Sequence, residues 1–276
     1  MFKSFFPNPR LFFFSVVIYA AVCSFIWYGF NDQIGAFLGF DLSSSEPVIG
    51  LGHFATDSFL LFYLYYFVCT ALFATFWFKL ENHPWQWWSI IGSSFILFST
   101  YYSVQVSVAI NNWRRPFFDL VQDALKGSTS QTAEGEAAVV AEETVSSISD
   151  ELFDLIVIFA EIAFLAIFVY VITRFFVSHY IFRWRTAMND YYTAQWKQVR
   201  HIEGASQRVQ EDTMRFAGVM EGLGVSAIDA VMTLIAFLPV LWALSEYVTE
   251  LPLVGEIPAP LFFAALLWSI FGTGLL

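Results

Sequence analysis

The sequence predicts an all-α polytopic transmembrane protein, and three observations carry that reading. Hydrophobic residues make up 58% of the 276 positions and charged residues 13%, against about 25% charge in a soluble domain. The apolar residues are gathered into long runs, and those at 11–30, 58–78 and 85–113 hold no charge at all. Basic residues fall on one side of the runs and acidic residues on the other.

A helix needs about 20 apolar residues to cross a bilayer. Lipid cannot satisfy exposed backbone groups, so an open chain crosses as helix. Strands of an outer-membrane barrel would be about 10 residues of alternating character. The runs here are too long and too uniform for that.

The elements follow in order. Pro7 and Pro9 close a short lead, with Lys3 and Arg10, ahead of the first span at 11–30. No small-x-small cleavage site ends that span, so it reads as an uncleaved helix and not as a signal peptide. The loop at 31–57 contains DLSSSEPVIGLG and is expected to lack a rigid core. Spans two and three occupy 58–78 and 85–113. Trp85, Trp87 and Trp88 at the start of the third span, and Trp27 and Tyr28 at the end of the first, read as interfacial anchors. Residues 114–151 form an acidic external loop, flexible over the low-complexity stretch 127–149. The fourth span covers 152–182 and is interrupted by Asp154, Glu161 and Arg174. A polar connection at 183–222 is expected to be helical and cytoplasmic. The fifth span covers 223–245. The sixth, at 261–276, has only 16 residues and no polar cap, so the chain is expected to continue past Leu276. All of 1–276 is read as a single transmembrane domain.

The net charge of −11 belongs to one face. With the N-terminus inside, nine of the thirteen Lys and Arg residues lie in the inner segments 1–10, 79–84 and 183–222. Only Arg114, Arg115 and Lys126 lie outside, together with fifteen acids. Every loop therefore agrees with the positive-inside rule. Cys23 and Cys69, the two cysteines, both fall within spans and read as small packing residues.

Carboxylates carry the candidate chemistry. Acids within spans are costly and functional by default. Glu161 and Asp229 are the candidates there, with Arg174 placed near a span end, where it can snorkel. In the polar connection, Glu203, Gln207 and Glu211 fall at i, i+4 and i+8, on one helical face. Glu211 and Arg215 have the favoured acid-first i,i+4 order, and Arg208 is within reach of Glu211 or Asp212. Gly204 beside Glu203 permits close backbone approach or loosens the helix. For Glu211 and Asp212 a salt-bridged helix extending below the membrane is the favoured reading. A wet cavity or a pairing with Arg would account for the other acids without proton movement.

Catalytic and nucleotide signatures are absent. No G-x-x-x-x-G-K-[ST], H-E-x-x-H or G-x-S-x-G occurs. The four His residues lack metal-ligand spacing. No enzyme activity, metal, cofactor, ATP site or nucleic-acid partner is expected.

Five blocks resemble a known family: MFKSFFP at 1–7, FVSHYIFRWRTAMN at 176–189, HIEGASQRVQEDTMRFA at 201–217, VMTLIAFLPV at 231–240 and GTGLL at 272–276. They are similar to the SbmA/BacA peptide antibiotic transporters of bacterial inner membranes. The motif residues include Arg183, Arg185, Asn189, Arg208, Glu211 and Asp212. The resemblance implies a homodimer whose membrane domain is like that of ABC exporters but has no ATPase. It implies import of proline-rich peptides, microcins and bleomycin-like compounds, driven by protons, in the inner membrane. Glu203 matches a glutamate implicated in proton coupling. Two rival readings stand beside it. One is the membrane half of an ATP-driven transporter with its ATPase elsewhere. The other is a membrane scaffold or receptor that transports nothing.

Overall fold

A computed structural model describes residues 1–42, 47–129, 136–245, 250–251, 255–256 and 258–275. Residues 43–46 of the expected first loop and 130–135 of the low-complexity stretch lie outside them. The described residues are almost entirely helical, and five helices are long and apolar enough to cross a membrane: Pro9–Leu38, Asp57–Leu80, Trp87–Lys126, Ile148–Ala194 and Ala205–Leu244. Two compact units, Met1–Gly222 and Leu223–Leu276, divide the chain.

The first unit opens with a 3-10 turn, Phe2–Ser4, and then helix α1, Pro9–Leu38. Pro9 suits the first helical turn, where its missing N–H costs nothing. The helix ends at Gly39, whose φ of 82° is left-handed. It runs eight residues beyond the apolar run that predicts it. A second 3-10 turn, Leu51–Ala55, buries Phe54. The expected loop without a core is therefore corrected here: Phe54 packs with Val106, Ala109 and Ile162.

Helix α2 spans Asp57–Leu80. A π turn at Trp87–Gly92 leads into α3, Ser93–Thr129, which continues through Pro116. Helix α4, Glu136–Ala194, has 59 residues. At 1.5 Å per residue it is roughly 90 Å long, about three hydrocarbon thicknesses. The loop expected at 114–151 is thus corrected to the ends of two long helices wherever its residues are described. Hydropathy marked where lipid-compatible sequence stops, and the helices do not stop there. After α4 come one turn of helix, α5 (Trp196–Val199), and α6 (Ala205–Val219).

Hydroxyl groups join the spans. Tyr19 donates to the Cys69 carbonyl at 2.8 Å, and Tyr65 donates to the Cys23 carbonyl at 2.7 Å. Trp77 Nε1 donates to Ser15 Oγ at 3.1 Å. Tyr66 and Thr70 each lie 2.9 Å from Ser94 Oγ. Such bonds pair polar groups that lipid would leave unsatisfied.

The N-terminal end of this unit is held by aromatic packing. Trp184, 3% exposed, meets the rings of Phe2, Phe5, Phe6, Tyr180 and Phe216 at centroid distances of 5.2–6.3 Å. Phe5 is fully buried and stacks on Trp184 with 14° between planes. Trp184 Nε1 donates to the Met1 carbonyl at 3.5 Å, and the Met1 amine donates to Tyr192 Oη at 3.3 Å. Burial lowers the pKa of that amine. The lead expected from the sequence is therefore a packed plug.

The tryptophans read as interfacial anchors divide. Trp87 is exposed. Trp88 packs on Phe176 and His179 and lies 5.4 Å beneath the Arg183 guanidinium. Trp85 meets Phe5, and Trp27 meets Phe62 and Tyr65. Gly92 in the π turn has a steric role: a Cβ there would lie 3.0 Å from the Tyr180 ring. Tyr180 Oη is 2.7 Å from Ser93 Oγ.

In the second unit, α7 (Val225–Leu244) contains Pro239, and α8 spans Pro260–Leu275. Ser245 Oγ accepts from the Leu261 N–H at 3.1 Å. Trp242 meets Phe262 edge-on at 5.2 Å. Between the helices lies a minimal antiparallel pair, β1 (Glu250–Leu251) and β2 (Gly255–Glu256), with Glu250 opposite Glu256.

Two expectations follow from the plug. Trp184→Ala should cost about 3–5 kcal/mol, as for other buried Trp truncations, and should lower the thermal unfolding temperature in detergent; an unchanged temperature would contradict the packing. The second concerns His83, whose Nδ1 accepts from the Trp85 N–H at 3.2 Å. Burial lowers the His83 pKa from 6.5, against smaller opposing effects of a hydrogen bond to the Lys3 backbone and the Glu81 charge. A depressed folded-state pKa means the contact is whole above 6.5 and weakens as pH falls through the lowered value. Unfolding temperature should therefore drop on mild acidification in the wild type and drop less in His83→Gln; equal pH slopes would refute this.

Candidate functional site

The polar connection breaks where Glu203 sits. Residues 200–204 form turns, and Gly204 has a φ of 73°, the left-handed conformation that favours glycine. The expectation of one continuous helix with Glu203, Gln207 and Glu211 on a single face is corrected for Glu203. It precedes α6 and stands exposed in the turn. The rest of that face forms as expected: Gln207 donates to Glu211 at 3.4 Å, and Arg215 pairs with Glu211 at 3.3 Å. The ion pairs among the described residues are Arg115–Asp119, Lys126–Asp123 and Arg215–Glu211. The expected pairing of Arg208 with Glu211 or Asp212 is not among them, and both Arg208 and Asp212 are exposed.

Three of the resembling blocks meet in space. Phe2, Phe5 and Phe6 from 1–7 converge on Trp184 from 176–189 and Phe216 from 201–217. The motif basic residues differ in setting. Arg183 is half-buried between Trp88 and His179, with its Nε donating to His179 Nε2 at 3.4 Å. Arg185 and Asn189 are exposed.

Glu161 lies on α4, exposed, two turns after Asp154. Its helical neighbours Phe164 and Phe168 are 75% and 62% exposed. Arg174, thirteen residues along the same helix, is exposed as well. Asp229 is exposed on α7 of the second unit. The structure does not bring Glu161, Arg174 and Glu203 together within the first unit. No three His, Cys, Asp or Glu side chains among the described residues cluster in a way that would hold a metal.

Sequence reasoning missed one contact. Glu221 accepts a 2.6 Å hydrogen bond from Ser178 Oγ on α4. It belongs to a π turn, Met220–Gly224, and such turns recur at functional sites. The signal in the sequence is the glycine pair of EGLG at 221–224, which loosens a helix.

The described residues of the first unit thus carry exposed carboxylates, a cation–aromatic contact and a hinge-like break. A match to the SbmA/BacA-like family extends over residues 82–276, well over half of the chain. It supports a role of the peptide-transporter kind, and the five long apolar helices agree with a multi-pass membrane protein. The chain belongs to the SbmA/BacA-like family.

Proposed function

We propose that this chain imports peptides and peptide antibiotics across a bacterial inner membrane as a proton-driven homodimer. The N-terminus and the 183–222 connection would face the cytoplasm. Candidate substrates are proline-rich antimicrobial peptides, microcins and bleomycin-like compounds.

The observation that carries this reading is the exposure of Glu161 and Asp229 on spanning helices. Glu161 stands among exposed phenylalanines. A carboxylate facing hydrocarbon is expensive, so intramembrane acids line water or meet a partner. Two protomers enclosing a wet cavity supply both conditions. The acidic external face would concentrate cationic peptides at its mouth.

Glu203 is the proposed coupling residue. Glu203 is exposed among the described residues of the first unit, and in the proposed homodimer the second protomer would cover it. Its place at the α5–α6 break lets protonation bias the position of α6. A proton can drive transport only if it binds the two states differently.

The test uses the full-length protein in proteoliposomes under an imposed pH gradient. Glu203→Gln should reduce gradient-driven uptake of a proline-rich peptide roughly tenfold, equivalent to about 1.4 kcal/mol of lost bias. Wild-type uptake should also collapse with an uncoupler. Uptake that survives the uncoupler and needs ATP would favour the ATP-driven reading. Absence of uptake under every condition would favour the scaffold or receptor. Normal uptake and pH dependence in Glu203→Gln would remove Glu203 from the mechanism.

A further inference from the structure

Helices α1 and α2 carry the same short pattern, Tyr-x-x-Val-Cys, at Tyr19–Cys23 and Tyr65–Cys69. Each tyrosine hydroxyl donates to the backbone carbonyl of the other helix's cysteine, at 2.8 and 2.7 Å. The two bonds are reciprocal, so they fix the register of α1 on α2 at the level of the cysteines. Both thiols are half-buried. The reciprocal bonds set the two cysteines level with each other on neighbouring helices. Neither participates in the carboxylate chemistry above.

We propose that Cys23 and Cys69 form a two-thiolate site for a soft divalent cation that accepts linear two-coordination, the Hg(II) class, bridging α1 to α2. Thiolate sulfur selects soft cations. Zinc requires four ligands, and this site offers two. The tyrosine oxygens have already committed their protons to the carbonyls. A monovalent soft cation would leave the bis-thiolate complex with a net negative charge, which a low-dielectric span opposes. Mercuric chloride avoids that cost. It is a neutral molecule, and it reacts with two neutral thiols to give a neutral complex: HgCl₂ + 2 RSH → Hg(SR)₂ + 2 HCl. Two Hg–S bonds form, two Hg–Cl bonds break, and each thiol proton leaves with a chloride. No electron transfer is involved.

Residues 1–276 hold two cysteines, Cys23 and Cys69, and single variants of the full-length protein assign bound mercury to them. The reduced protein in detergent is treated with one equivalent of mercuric chloride, challenged with excess glutathione and analysed by intact mass. The wild type should keep one mercury per chain, with both thiols closed to maleimide. Cys23→Ser and Cys69→Ser should each lose mercury at least tenfold more readily. Methylmercury, with one free coordination position, provides a check without mutation. Two molecules should bind the wild type, and glutathione should strip both. The proposal is overturned if wild type and single variants lose mercury alike. It is also overturned if one thiol stays open, if mercury joins two chains, or if methylmercury resists glutathione as the bridging ion does.

Discussion

The packing of Trp184 is the contact on which the N-terminal end of the first unit depends. It gathers Phe2, Phe5 and Phe6 from the start of the chain, Tyr180 from its own helix and Phe216 from α6. Ring burial supplies the energy, and the edge and stacked geometries supply direction. The hydrogen bonds to Met1 then fix where the chain begins. Around this cluster α4 holds its register with the π turn before α3, through the Tyr180 ring against Gly92 and the Arg183 guanidinium over Trp88. The break at 200–204 separates α6 from the end of α5, and that packing fastens α6 to α4. Glu203 thus sits where a small change in the angle of α6 is least resisted by backbone hydrogen bonding.

The spanning helices make the complementary point. They present many large apolar side chains outward, as lipid-facing helices must. Within that apolar surface Glu161 and Asp229 are misplaced unless something wet or basic covers them. Arg174 lies too far along α4 from Glu161 to pair with it. In the proposed homodimer the second protomer and an aqueous space would supply that cover.

Much of the fold was legible in the sequence because lipid imposes a simple rule: charge-free runs of sufficient length are helices that cross. The ends of those helices were not legible. Residues 31–38, 114–129 and 136–151 are polar enough to resemble loops, yet each continues a helix already nucleated in an apolar run. Hydropathy reports depth in a bilayer and is silent on where helical hydrogen bonding ends. The break before α6 did leave a trace in Gly204. The seven-residue plug left one too, in the three phenylalanines of MFKSFFP, though a short lead seldom packs so completely. At the site, the i,i+4 pairing of Glu211 with Arg215 was readable, since it is local. The Ser178–Glu221 hydrogen bond and the convergence on Trp184 join residues more than thirty positions apart, which no spacing rule reaches.

Coupling of peptide entry to proton entry is the central claim, and a direct flux measurement addresses it. Full-length protein in liposomes loaded with a pH-sensitive dye, with no gradient imposed, is given a proline-rich peptide on the side corresponding to the acidic face. The account predicts acidification of the lumen that begins with peptide addition, scales with peptide entry and is absent from protein-free vesicles. Peptide entry with no accompanying movement of protons would contradict it.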